Sequence, residues 1–228
     1  MVLAGILDAA HAGLPERFPA QSLVEDLQEG KSFGVANQRA RGLNKLTLSM
    51  LKDLEGWRAE RYDDVAGYCT IGYGHVIALQ RCSRLGERQL GEFAKPISKK
   101  RSEQLLLEDL VTARLAVERL VTVELNDNEF GALTSFVFNV GKRHFADSTL
   151  LKKLNRGDRE GASHEFVRWA KDGRRYSSTL GQRRACEADL FRSQLVATSR
   201  GEFSEAACSS FGAAPGGLPL IDVRNGER

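Results

Sequence analysis

Between Leu125 and Gly141 the chain reads LNDNEFGALTSFVFNVG, a segment that is apolar on nearly every side and marked at both ends. Asn126 is placed as an N-cap with Glu129 at the reciprocal capping position, and Leu125 and Phe130 stand where a hydrophobic staple would close. Gly141 is placed to stop the helix. A helix that is apolar all round has to be enclosed by other elements, so the spacing predicts a buried central helix with the domain wrapped around it.

The surrounding segments fit that demand. Leu43, Leu46, Met50, Leu51 and Leu54 recur at helical intervals and predict an amphipathic helix ending near Gly56. From Arg61 to Val76 glycines at 67, 72 and 74 punctuate short pieces rich in Tyr, Thr and Ile, which predicts a small hairpin sheet. In SEQLLLEDLVTARLAVERLV, Leu106, Leu110, Ala113, Val117 and Leu120 share one face, as in one long helix. Further helices are expected at about 148–156, 159–170 and 180–197, with Gly157 as a stop. Trp169 is read as core. The whole is an α+β domain.

Two flanking regions look different. Residues 1–42 mix short apolar patches with GLPERFP and QEGKSFGVANQRARG and read as an irregular extension of unassigned role. After Ser199 the stretch SSFGAAPGGLP has little to pack, so residues 199–228 are expected to form a flexible tail behind a domain of residues 43–198.

Composition excludes several function classes. In 228 residues, 33 Lys and Arg face 30 Asp and Glu, a net charge of +3 spread along the chain. That suits an anionic polymer such as a cell wall and falls short of a nucleic-acid footprint. No apolar run approaches the roughly 20 residues of a membrane span, and VLAGIL is cut off by Asp8 with no basic residue before it. Neither a signal peptide nor an anchor is expected. Cys69, Cys82, Cys186 and Cys208 lack C-x-x-C spacing, so reduced thiols in a cytosolically made protein are the expectation.

Chemistry concentrates in EGWRAERYDDVAGYCTIGYGH, residues 55–75. Glu55 follows Leu48 and Leu51 by seven and four residues, which puts its carboxyl on the core-facing side at the carboxyl end of a helix. Partial desolvation and the helix dipole both disfavour its ionised form there, as a general acid requires. A surface glutamate at a frayed helix end is the alternative. Asp64 lies in the YDDVAG turn, where water and backbone amides would keep it ionised. Two carboxyls in contrasting environments suit glycoside hydrolysis, although Asp63 and Asp64 also fit ordinary turn chemistry. The even offset of Thr70 from Asp64 puts its hydroxyl on the same side of the hairpin only if the turn between them cooperates. Cys69, pointing to the opposite strand face, reads as structural.

These motifs, E-G-x-R, Y-x-D and G-Y-x-T-I-G-Y-G-H, resemble the catalytic signature of the phage-type lysozymes, the endolysins of glycoside hydrolase family 24. PISKKRSEQLLLEDLVTARLAVERL resembles that family's long interlobe helix. LNDNEFGALTSFVFNVGKRHFADSTLLKKLNRGD and VRWAKDGRRYSSTLGQRRACEADLF are similar to its core and closing segments. The resemblance covers about residues 43–195. It implies a lysozyme-like fold with a small antiparallel sheet lobe, a mainly helical lobe and a long connecting helix. It also implies cleavage of the β-1,4 bond between N-acetylmuramic acid and N-acetylglucosamine in bacterial peptidoglycan, with inversion and without a metal or organic cofactor.

By position, Glu55 takes the role of general acid, and Asp64 and Thr70 steer the attacking water. His75 and Asp109 are expected to form a charge-assisted pair bracing the sheet against the long helix. Arg183 or Arg184 is expected to reach Glu55, opposing the effects that favour its protonated form. Tyr73 and Asn139 are candidate sugar contacts. A lytic transglycosylase, or a silent wall-binding or tail protein on the same scaffold, are the rival readings. A monomer made in the bacterial cytoplasm is expected, reaching the wall through a holin pore or a delivery apparatus.

Overall fold

The computed structural model describes residues 40–173, 175–209 and 219–227, together with Ala20 and Val24. Most of the N-terminal extension read from the sequence lies outside the described residues. Ala20 is buried in the main core, so the extension is not wholly separate from the domain. Arg41 ties its end down, donating to Asp127 Oδ1 at 2.6 Å and stacking over the Phe130 ring.

Helix α1 (Lys45–Glu55) starts at Asn44, whose side chain accepts from the Thr47 amide. Strands β1 (Arg58–Asp63), β2 (Cys69–Gly72) and β3 (His75–Ala78) follow as an antiparallel sheet in the order β1-β2-β3. A short helix α2 (Glu87–Leu90) leads to α3 (Lys99–Asp109) and α4 (Val111–Leu120). The expected single long helix is thus two segments, interrupted at Leu110, where ψ opens to −11°. Arg114 Nη2 donates to the Leu107 carbonyl at 3.2 Å beside this break. The ladder resumes at once, with Leu110 N to Leu106 O and Arg114 N to Leu110 O both 3.0 Å.

The central helix α5 (Asp127–Val140) carries the full capping box of Asn126 and Glu129 and stops at Gly141, where φ is 90°. Phe136 is fully buried at its centre, edge-on to Phe166 at 5.2 Å and to Trp169 at 5.3 Å. Such T-shaped pairs suit the ring quadrupoles. Where α5 passes α1, a Cβ on Gly131 would stand 2.1 Å from Thr47 Oγ1. Only glycine permits that approach.

The enclosing helices are α6 (Lys142–Asp147), α7 (Thr149–Asn155), α8 (Arg159–Glu165) and α9 (Ser178–Phe191), with a hairpin β4 (Lys171–Asp172) and β5 (Arg175–Tyr176) before α9. The helix expected over 159–170 stops at Glu165 in a 3₁₀ turn. The last helix begins and ends earlier than its periodicity suggests. Ser193 has φ 57°, and the bonds from Ser193 N to Leu190 O and Gln194 N to Asp189 O close the end of α9.

The expectation of an unpacked tail is corrected by both of its described pieces. Residues 199–209 run back to α1, where Lys45 Nζ donates to Arg200 O at 2.9 Å and Phe203 N to Ser49 Oγ at 2.9 Å. Residues 219–227 add a backbone bridge to Lys171, bury Ile221 and place Glu227 Oε2 on the Thr149 amide at 3.0 Å. Composition gave little to pack, yet a few anchors suffice because the partners are preformed.

The expectation of reduced thiols is also corrected: Cys69 is bonded to Cys82 and Cys186 to Cys208. Spacing motifs were the wrong guide, because tertiary structure makes each pair. Asp63 Oδ1 accepts from Cys82 N at 2.7 Å, drawing the loop after β3 back beside β2. The returning tail brings Cys208 onto α9.

Candidate active site

Glu55 is the last residue of α1 and is 7 % exposed. The helical spacing that puts Leu51 in the core puts this carboxyl one turn further along the same face. Its Oε1 accepts from Arg183 Nη1 at 2.8 Å. On its other side, a Cβ at Gly74 would lie 3.6 Å from Oε2, so the turn between β2 and β3 closes against the acid. That turn is itself pinned to α3: Tyr73 N donates to Ser102 Oγ at 2.9 Å. At Gly72, with φ +67°, any Cβ would sit 2.3 Å from the same hydroxyl.

Arg183 belongs to α9 and is held at every nitrogen. Nη1 serves Glu55, Nε donates to Glu187 Oε1 at 3.0 Å, and Nη2 donates to Ser135 O at 3.2 Å. Burial works against its charge, but the carboxylates of Glu55 and Glu187 outweigh burial and hold the guanidinium above its ordinary value. Arg184 does not go to Glu55. Its Nη2 donates to Asn139 Oδ1 at 2.5 Å, its plane lies over the Phe136 ring, and Nη1 pairs with Glu187 at 3.0 Å. Burial pushes Arg184 down to about 10.

The second carboxyl follows the end of β1. Asp64 Oδ1 accepts from the amides of Ala66 and Tyr68, both at 2.9 Å, and Oδ2 lies 3.4 Å from Thr70 Oγ1. Thr70 is 1 % exposed, and its hydroxyl also reaches Tyr68 O at 3.2 Å. The strand register sets Tyr62 opposite Thr70 and Asp63 opposite Cys69, which brings Asp64 and Thr70 together across the β1–β2 turn. The turn was expected to keep Asp64 ionised through water and backbone amides. Desolvation is instead the largest effect and raises it, against the backbone amides and Thr70, which lower it. A raised carboxylate is a stronger base.

The supporting residues separate clearly. His75 Nδ1 lies 3.0 Å from Asp109 Oδ2 and 3.1 Å from Oδ1, which joins β3 to α3. Tyr73 packs at the edge of the core, where burial raises its phenol. Asn139 is an acceptor for Arg184. Sequence reasoning missed Glu187, Ser135 and Ser102. Glu187 was findable, since it stands four residues after Arg183 on a helix, where opposite charges meet. Nothing in the sequence singles out the two serines.

Glu55 at the end of α1 and Asp64 after β1 are thus both set by the small sheet and the helix that precedes it. The chain belongs to the phage lysozyme family, whose model matches residues 52–187. It is 37 % identical over 150 residues to the endolysin of Acyrthosiphon pisum secondary endosymbiont phage 1, covering 64 % of this chain and 94 % of that one. The endolysin of Salmonella phage P22 is 37 % identical over 146 residues, with the same two coverages. Among solved structures, the endolysin from Escherichia coli O157:H7 phage FAHEc1 superposes with a TM-score of 0.58 at 32 % identity, over 68 % of this chain and 96 % of that one. The protein is a peptidoglycan hydrolase of the glycosidase class.

Proposed function

We propose that the chain is an N-acetylmuramidase in which Glu55 is the general acid and Asp64 activates water. The bond cut is the β-1,4 link from N-acetylmuramic acid to N-acetylglucosamine. Water attacks the anomeric carbon of the muramic acid and gives its proton to Asp64. The bond from that carbon to the bridging oxygen breaks, its electron pair stays on the oxygen, and Glu55 supplies the proton that makes it a hydroxyl. Arg183 receives the Glu55 carboxylate as it forms. Thr70, being buried, acts through Asp64 by holding Oδ2. One observation carries the reading: within the stretch matched by the phage lysozyme family, Glu55 is buried at the end of α1 and Asp64 is brought to 3.4 Å from Thr70, the two carboxyls standing on separate elements of the same region.

Each of these groups comes from a single chain, which supports a monomer as the active form. Two disulfides suit an oxidising compartment, which supports action beyond the cytoplasm after passage through a holin-type pore or a delivery apparatus.

Asp64→Asn tests the second carboxyl. Asparagine keeps an oxygen for the Ala66 and Tyr68 amides and can donate to Thr70, so the fold is retained. A raised carboxylate loses its charge at higher pH than usual, so folding is favoured by protonating Asp64 and the neutral amide avoids that cost. The unfolding temperature at neutral pH should therefore not fall, while the rate drops by roughly 10²- to 10³-fold. The wild-type rate should also decline on the acid side above the ordinary aspartate range, because the base must be ionised. An Asp64→Asn enzyme of wild-type rate would remove Asp64 from the mechanism.

A further inference from the structure

Glu187 is fully buried and ionisable, and no step of the cleavage above uses it. Its Oε1 accepts from Arg183 Nε at 3.0 Å and from Ser135 Oγ at 2.6 Å, and its Oε2 lies 3.0 Å from Arg184 Nη1. At 0 % exposure it touches no sugar. Taking a charge out of water is costly, and well-packed apolar side chains hold helices together at least as well. Packing α9 on α5 therefore does not account for a glutamate here.

We infer that Glu187 is a positioning residue for the cleavage, sharing Arg183 with Glu55 so that the guanidinium is aimed at the acid without holding it permanently as a carboxylate. The inference rests on Glu55 being the acid. With Glu55 protonated, the cluster contains two guanidinium groups and one carboxylate. Without Glu187 both cations would favour loss of the Glu55 proton, and the donor would be spent at lower pH.

Charged groups on the elements beside Glu55 have partners other than Glu187. His75 on β3 is paired with Asp109 of α3, Lys52 with Glu103 at 3.2 Å, and the neighbouring turn reaches Glu55 through uncharged Gly74. Asp53 lines a groove with Gln182, Arg183 and Glu205.

The test is the pH–rate profile of the full chain on purified sacculi for wild type, Glu187→Gln and Glu187→Asp. In Glu187→Gln the alkaline limb should move to lower pH by roughly one to two units. Glu187→Asp keeps the charge and should bring it back most of the way. A rate that falls equally at every pH, with the limb unmoved, would make Glu187 structural only and overturn the inference. So would an aspartate variant displaced as far as the glutamine.

Wild-type protein supplies the same decision if Glu187→Gln fails to fold. The ¹⁵N–¹H signal of Arg183 Nε, which sits on Glu187, should shift through the midpoint of the alkaline limb, and a signal that stays fixed across it overturns the sharing. Glu55→Gln separates the two levels. Wild-type activity in that variant discards the acid and this inference with it, whereas an inactive Glu55→Gln beside an unmoved limb in Glu187→Gln discards the sharing alone.

Discussion

Glu55→Gln should clear permeabilised Gram-negative cells at least roughly 10³-fold more slowly than wild type, the loss typical of a removed general acid. The substitution is nearly isosteric. Its amide oxygen can still accept from Arg183 Nη1, now 2.8 Å from Glu55 Oε1, so the end of α1 stays in place and binding to sacculi should survive. Only the transferable proton is lost. Cosedimentation with sacculi at wild-type levels, beside absent clearing, would separate chemistry from binding. A variant that neither clears nor binds would point to a disturbed fold instead, and one that clears at the wild-type rate would discard the acid.

Arg183→Met carries the largest expected cost to stability. It leaves Glu55 and Glu187, 7 % and 0 % exposed, without their shared cation, and Ser135 without its donor. Breaking a buried ion pair by removing one partner typically costs about 3–5 kcal/mol. For a chain of this size that corresponds to a fall of roughly 6–20 °C in unfolding temperature. Arg184→Met should cost clearly less, because Glu187 keeps Arg183 and Asn139 is only half-buried. Thermal unfolding of the two variants side by side checks the ranking. Equal losses would mean that the cluster is one undivided charge network, with Arg183 holding no special place in it.

What the sequence made legible follows from which interactions are local. Capping of α5, its burial and its stop at Gly141 depend on residues a few positions apart, and all three appear where the pattern puts them. Glu55 was placed on a core-facing helix side by a spacing of four from Leu51, and it is buried there. Long-range features fared differently. No local pattern says that a returning tail will carry Cys208 onto α9, that the long helix will break at Leu110, or that Ser135 will complete the cage around Arg183. The choice between Arg183 and Arg184 was of the same kind. Adjacent helical residues point about 100° apart, and only the packing of α9 on α5 decides which one faces Glu55. Asp64 shows a third case, in which the donors were foreseen and the larger desolvation was not.

The central claim is that water, positioned by Asp64, takes the place of the bridging oxygen. Analysis of the ends released from sacculi by the wild-type enzyme tests it most directly. The account predicts free reducing ends of N-acetylmuramic acid, with no 1,6-anhydro product. A digest dominated by anhydro ends would mean that the muramic acid's own hydroxyl, and not water, attacks the anomeric carbon, and would contradict the hydrolytic mechanism.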